Sequence, residues 1–207
     1  MKKDLTEIIF IIDRSGSMDR LTQDTIGGFN SFIENQKKEA GEAKLTTVLF
    51  DDNYEVLHDG VNLKEVKPLT DKEYYARGTT ALLDAIGKTI TEVGNRLSNT
   101  PEEERPEKVM VIITTDGAEN ASKEYTKSKV KEMIEEQTNK YSWVFMFLGA
   151  NIDAVSEAKS IGISACHAHT HGWSPQGVES VYTTMSNVAT GYRGTGKIDN
   201  NWKDGIK

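Results

Sequence analysis

The chain holds a single cysteine, Cys166, in 207 residues. No intrachain disulfide can form, and nothing points to an oxidising compartment. Long apolar runs are missing as well. The most apolar stretches have the length of strands, far short of the roughly 20 residues that a bilayer-spanning helix needs. The N-terminus opens Met1-Lys2-Lys3, but Asp4 and Glu7 interrupt the short apolar run behind it, so no secretory signal is expected. Positive charge is in deficit: 25 Lys and Arg stand against 32 Asp and Glu, a net charge of −7. That balance argues against nucleic acid, whose binders carry a basic face. Internal repeats and low-complexity tracts are absent. These absences leave a domain able to bury a substantial core, expected to be soluble and cytoplasmic and to bind neither membrane nor nucleic acid.

The most informative stretch begins at Ile8-Ile9-Phe10-Ile11-Ile12. Five apolar residues are too few for a helix and suit a strand buried on both faces. Asp13 ends the run, and Ser15 and Ser17 follow at alternate positions, so three oxygens can point to one spot beyond a strand's carboxyl end. Ligands of open α/β sheets bind there. One carboxylate and two hydroxyls suit a hard divalent cation better than zinc. A polar turn whose serines satisfy backbone groups is the other reading of the same five residues.

Strand-like and helical stretches alternate along the rest of the chain. Ile26, Phe29, Phe32 and Ile33 lie at helical spacing. Leu45–Phe50 and Tyr54–Leu57 read as a hairpin across Asp51-Asp52-Asn53. Leu82, Ile86, Ile90, Val93 and Leu97 form a helix stripe. Val109–Ile113 is a second buried strand, and it too runs into an acid, Thr115-Asp116-Gly117. Val130, Met133 and Ile134 mark the next helix, and Trp143–Leu148 another strand. Asp153 and Gly162 bound a short helix as N-cap and C′ residue. Ile163–His167 reads as a short last strand, and Ser174-Pro175 opens a final helix carrying Val178, Val181, Tyr182, Met185 and Val188. The expected fold is an α/β, Rossmann-like three-layer sandwich: a mainly parallel sheet with one antiparallel edge strand and helices on both faces. Residues 1–191 make the domain, and 192–207 read as a loose polar tail.

In a parallel sheet Asp13 and Asp116 emerge on the same edge. Between them in sequence, Arg77-Gly78-Thr79-Thr80-Ala81-Leu82 is a glycine loop leading into a helix, and it offers a further hydroxyl. With these three motifs the chain resembles the von Willebrand factor A family and its metal-ion-dependent adhesion site (MIDAS). The family pattern is Asp-x-Ser-x-Ser, a Gly-x-Thr loop, and a later Thr-Asp-Gly, and small intracellular members from bacteria and phages are the most similar in kind. The resemblance implies that Asp13, Ser15, Ser17, Thr80 and Asp116 form a metal site, with the three hydroxyls on the ion and the two aspartates acting largely through water. Thr79 is the alternative to Thr80; alignment of the following Ala-Leu-x-Asp-Ala-Ile stretch favours Thr80. The implied cation is magnesium, or manganese or calcium. The implied role is recognition of a protein partner through its Asp or Glu carboxylate, by an adaptor or assembly factor and not an enzyme. Tyr74, Tyr75 and Arg77 would border that site as a binding rim.

Three other signals point elsewhere. Gly191–Lys197 has the spacing of a phosphate loop, but a helix precedes it and Ile198 follows the lysine, so nucleotide binding is not expected. His167, His169 and His171 would share one face of a strand and could hold zinc or copper. A haloacid-dehalogenase-type phosphohydrolase also places an aspartate after a buried strand. That family carries a second aspartate two residues on, where this chain has Ser15.

Overall fold

The computed structural model describes residues 1–206. Its principal elements, in chain order, are β1 (Lys2–Asp13), α1 (Thr22–Lys38), β2 (Glu42–Phe50), β3 (Tyr54–Asn62), α2 (Leu82–Asn99), β4 (Pro106–Thr115), α3 (Lys127–Tyr141), β5 (Val144–Ala150), α4 (Ala154–Ser160), β6 (Ala168–His171) and α5 (Pro175–Thr195). The six strands form one sheet in the order β3-β2-β1-β4-β5-β6. All neighbours are parallel except β2 and β3, whose hairpin puts the antiparallel strand at the edge. Among the described residues no helix is long and apolar enough to cross a membrane.

Strand alternation sorts the core into two layers. Ile8, Phe10 and Ile12 face α1 and α5, while Ile9 and Ile11 face α2, α3 and α4. Each of these side chains is fully buried, which is worth roughly 1.5–3 kcal/mol apiece before chain entropy is counted. Phe10 sets its ring edge-on to Phe29 and Phe32 of α1, with centroids 5.4 and 4.9 Å apart. On the other layer the α2 stripe of Leu82, Ile86, Ile90 and Val93 is buried, with Leu97 packed against it. A buried charge also secures α2: Glu7 inside β1 is ion-paired with Arg96 and accepts a bond from Thr46 Oγ1 at 2.8 Å.

Topology places the site. The chain leaves β1 toward β2 on one side and β4 toward β5 on the other, so the strand order reverses between β1 and β4. Crevices beyond the carboxyl ends of strands at such a reversal bind ligands. Ile12 is in register with Thr114, which brings Asp13 beside Thr115 and Asp116 just beyond.

Two stretches differ from the sequence reading. The last strand is Ala168–His171, not Ile163–His167; Ala165–His167 forms a single 3₁₀ turn. The boundary expected at residue 191 falls inside α5, which continues to Thr195 and is capped by Gly196 in the left-handed region. Beyond it most described residues are exposed, but the segment is anchored at one side chain. Trp202 is buried against the α1/α5 layer, and its indole N–H donates to Cys166 O at 2.9 Å.

Candidate metal centre

Three loops meet at the reversal point, and backbone bonds join them. Gly16 N donates to Gly78 O (3.2 Å), Arg77 N to Arg14 O (2.8 Å) and Ala81 N to Asp51 O (2.9 Å). Asn120 N and Ala121 N both donate to Thr80 O, and Thr80 N donates to Asn120 Oδ1 at 2.9 Å. Gly78 makes its turn at φ +66°, where a side chain would be strained and would also strike Asp52.

The side chains of the sequence motifs converge. Asp13 Oδ1 accepts from Ser15 N at 2.7 Å, and Asp13 Oδ2 accepts from Thr115 Oγ1 at 2.6 Å. Ser15 Oγ lies 3.1 Å from Ser17 Oγ, which donates to Asp116 Oδ1 at 2.6 Å. Thr80 joins from the third loop. A Cβ on Gly117 would come within 3.2 Å of Thr80 Oγ1, so the glycine of Thr-Asp-Gly leaves room for that hydroxyl. Thr80 is buried, whereas Thr79 is exposed. Thr80 does not cap α2: Glu119 Oε2 and Ser122 Oγ accept the N–H groups of Leu83 and Asp84.

Charge is the informative property. Asp13 is fully buried and Asp116 is 6 % exposed, yet the hydrogen-bond donors to both are neutral. Burial pushes the Asp13 carboxyl up to about 6, against the hydrogen bonds from Thr115 and Ser15, with the nearby Asp116 charge adding to the rise. The adjacent arginine does not relieve this. Arg14 turns away and pairs with Asp51 (3.0 Å) and Glu55 (2.8 Å). Two carboxylates and three hydroxyls, all hard oxygen donors without a neutralising side chain, fit a hard divalent cation.

Residues outside the motifs complete the surroundings. Trp173 Nε1 donates to Asp116 Oδ2 at 3.0 Å, and Tyr74 OH donates to Asp13 O at 2.7 Å. His171 lies close enough to feel the Asp116 charge, but burial holds its imidazole below the ordinary value. Sequence reasoning passed over Trp173, the role of Asn120 and the Arg14–Asp51 pair, and it named Thr115 in its motif without foreseeing the bond to Asp13. The signal available for Trp173 was its place just after the last parallel strand, at the same sheet edge. Tyr75 and Arg77 are partly exposed beside the loop, and the guanidinium groups of Arg14 and Arg77 flank the Tyr75 ring at 5.7 and 5.2 Å.

The remaining candidates do not assemble. His167 sits in the 3₁₀ turn while His169 and His171 lie on β6. Among the described residues no three His, Cys, Asp or Glu side chains group as a metal site. The phosphate-loop spacing at Gly191–Lys197 falls on the last turn of α5 and its cap, not between a strand and a helix.

A family model described as von Willebrand factor type A domain matches residues 7–171. No curated protein sequence matches the chain. Among solved structures, proximal thread matrix protein 1 from the mussel byssus superposes with a TM-score of 0.63 at 16% identity, over 92% of this chain and 48% of its own. One structure of that protein has a zinc-occupied MIDAS motif. A von Willebrand factor type A protein from Catenulispora acidiphila gives 0.60 at 15% identity, over 92% of this chain and 43% of its own. The manganese-loaded TRAP protein of Plasmodium vivax gives 0.60 at 17% identity, over 84% and 70%. At these identities the likeness is one of fold, and the chain spans about half the length of the first two.

Proposed function

The chain belongs to the von Willebrand factor type A domain family, and from that membership and the loop geometry we propose that it is a divalent-metal-dependent protein-binding module. Asp13, Ser15, Ser17, Thr80 and Asp116 would hold the ion, with magnesium the favoured cation and manganese or calcium as substitutes. A bound ion supplies a Lewis-acidic position that accepts a partner's Asp or Glu carboxylate. The observation that carries this reading is the buried pair Asp13 and Asp116, bonded only by neutral donors beside three hydroxyls. Burying carboxylate charge without compensation is costly, and a cation at this point removes the cost.

The partner is a protein with an exposed acidic side chain, and the role is that of an adaptor or assembly factor in the cytoplasm. Arg77, half-buried and tied to Asp51 at 2.7 Å, and Tyr75, 42 % exposed, form a rigid rim beside the site. Such preordered Arg and Tyr side chains lose little entropy on binding. Binding rather than turnover is favoured because Ser15, a metal-facing hydroxyl, takes the place where a haloacid-dehalogenase-type enzyme needs its acid/base aspartate. Titration calorimetry with magnesium and manganese tests the reading. Asp13→Ala should abolish binding while leaving the circular dichroism spectrum unchanged; equal binding by that variant would refute the assignment.

A further inference from the structure

Asp116 is the only carboxylate of the five-residue site that bonds a side chain from outside the three motifs. Its two oxygens are used differently. Oδ1 accepts from Ser17 Oγ at 2.6 Å, a hydroxyl that can turn its proton away and offer a lone pair instead. Oδ2 accepts from Trp173 Nε1 at 3.0 Å. An indole N–H donates only; it can neither accept nor ligate. The half-buried residue that carries it is anchored by packing and by its place in the chain. Trp173 packs against the α1/α5 core layer and sits between the end of β6 and Ser174, whose side chain caps α5 by accepting from Gly177 N at 3.1 Å.

We propose that Trp173 is a positioning residue: by holding Oδ2, it keeps Asp116 from swinging onto the metal as a direct, two-oxygen ligand. An ion held by three neutral hydroxyls, with at most one Asp116 oxygen in reach, would stay short of negative charge, and that deficit would make it select an incoming carboxylate. Removing the indole N–H frees the carboxylate to satisfy the ion internally. Metal should then bind more tightly and an external carboxylate less well. This rests on the metal-site reading above, and opposite movement of the two affinities is a signature that a merely structural tryptophan does not produce.

The full chain and its Trp173→Phe variant, which keeps an apolar ring and loses the donor, provide the test. Manganese affinity is read by the electron paramagnetic resonance signal of free Mn²⁺. Access of an external carboxylate is read by broadening of the acetate carboxyl ¹³C line by protein-bound Mn²⁺. Trp173→Phe should bind Mn²⁺ roughly ten- to a hundredfold more tightly, the range set by one hydrogen bond to a charged group, and should broaden acetate several-fold less. Trp173→Tyr, which returns a donor, should move both values back toward wild type. If wild type binds Mn²⁺ but Trp173→Phe leaves both quantities unchanged, or lowers both, the role of Trp173 is overturned and the metal site stands. If wild type binds no Mn²⁺, the metal site falls and this inference with it. Should Trp173→Phe fail to fold, the wild-type indole ¹⁵N–¹H resonance decides: it should keep its hydrogen-bonded position when Mg²⁺ is added. A shift to the position of a free indole would mean that Asp116 has let go, and would overturn the proposal.

Discussion

Thr115 Oγ1 donates to Asp13 Oδ2 at 2.6 Å, so residues 102 positions apart tie the carboxyl end of β4 to that of β1. The bond lies within the buried floor of the site. Thr115→Val keeps the β-branched shape that suits the strand and removes only the hydroxyl. Asp13 then loses one of its two donors, a loss worth about 1–3 kcal/mol for a buried charged acceptor. Urea denaturation at pH 7 should show that drop without a change in the slope, and Thr115→Ser should recover most of it.

Proton linkage gives a second expectation. The folded-state value of Asp13, about 6, lies above the unfolded value near 3.8, so the folded chain holds the proton more tightly. Its contribution to metal-free stability is therefore full below about pH 4 and is lost as pH rises through about 6, on the order of 3 kcal/mol in all. Metal binding has the opposite sign, because the ion needs the carboxylate. Manganese affinity should fall about tenfold per pH unit below 6 and level off above it. Asp13→Asn serves as the reference, since it cancels the background from other groups. Denaturation of both proteins from pH 4.5 to 7.5 should give a wild-type-minus-variant difference that declines with pH; a flat difference would contradict the shift.

How much of this was legible in the sequence depends on whether the cause was local. β1, β4 and the α2 stripe were readable because their apolar spacing is dictated by burial on both faces or on one stripe. The three site motifs were readable because each lies at the end of such an element. Trp173 was not, since its bond to Asp116 depends on the register of β6 beside β5, and β6 itself was placed too early. An edge strand of Ala-His-Thr-His carries too little apolar signal to compete with the Ile163 stretch before it. Trp202 and Ile206 were too isolated in polar sequence to suggest packing, yet Trp202 finds both a core layer and a carbonyl. Arg14 looked like a variable position between an aspartate and a serine.

Arg14 is in fact fully buried, and so is its partner Asp51. Burial acts to raise the Asp51 carboxyl, but bonds from Arg77 and Asn53 and the charge of Arg14 outweigh it and hold the value down. Asp51→Ala strands the Arg14 guanidinium in the interior with only Glu55 as a charged partner. Breaking one side of a buried pair typically costs about 3–5 kcal/mol, and the melting temperature should fall accordingly. Asp51→Asn, which removes the charge but keeps an acceptor oxygen for Arg14, Arg77 and Asn53, is the cleaner comparison and should cost less.

Packing of the C-terminal segment is tested by Trp202→Ala. The side chain is 7 % exposed, and removing a buried tryptophan costs about 3–5 kcal/mol. A loose tail would instead leave stability within about 0.5 kcal/mol of wild type. Denaturant midpoints separate the two outcomes directly. Manganese affinity should stay the same in the folded variant, because Trp202 bonds Cys166 O and not a site residue.

The threonine pair gives the sharpest test of the metal assignment. Thr80 is buried with its hydroxyl facing Gly117, and Thr79 is exposed. The N–H groups at the start of α2 are satisfied by Glu119 and Ser122, so losing the Thr80 hydroxyl removes no helix cap. Thr80→Ala should therefore fold with near wild-type stability while losing manganese affinity by tenfold or more, about 1.4 kcal/mol. Thr80→Ser should retain binding because the hydroxyl is kept. Thr79→Ala should bind as wild type does. Loss of binding in Thr79→Ala with retention in Thr80→Ala would move the ligand by one residue. Retention in both would mean that the loop before α2 supplies no ligand, leaving the site to Asp13, Ser15, Ser17 and Asp116 alone.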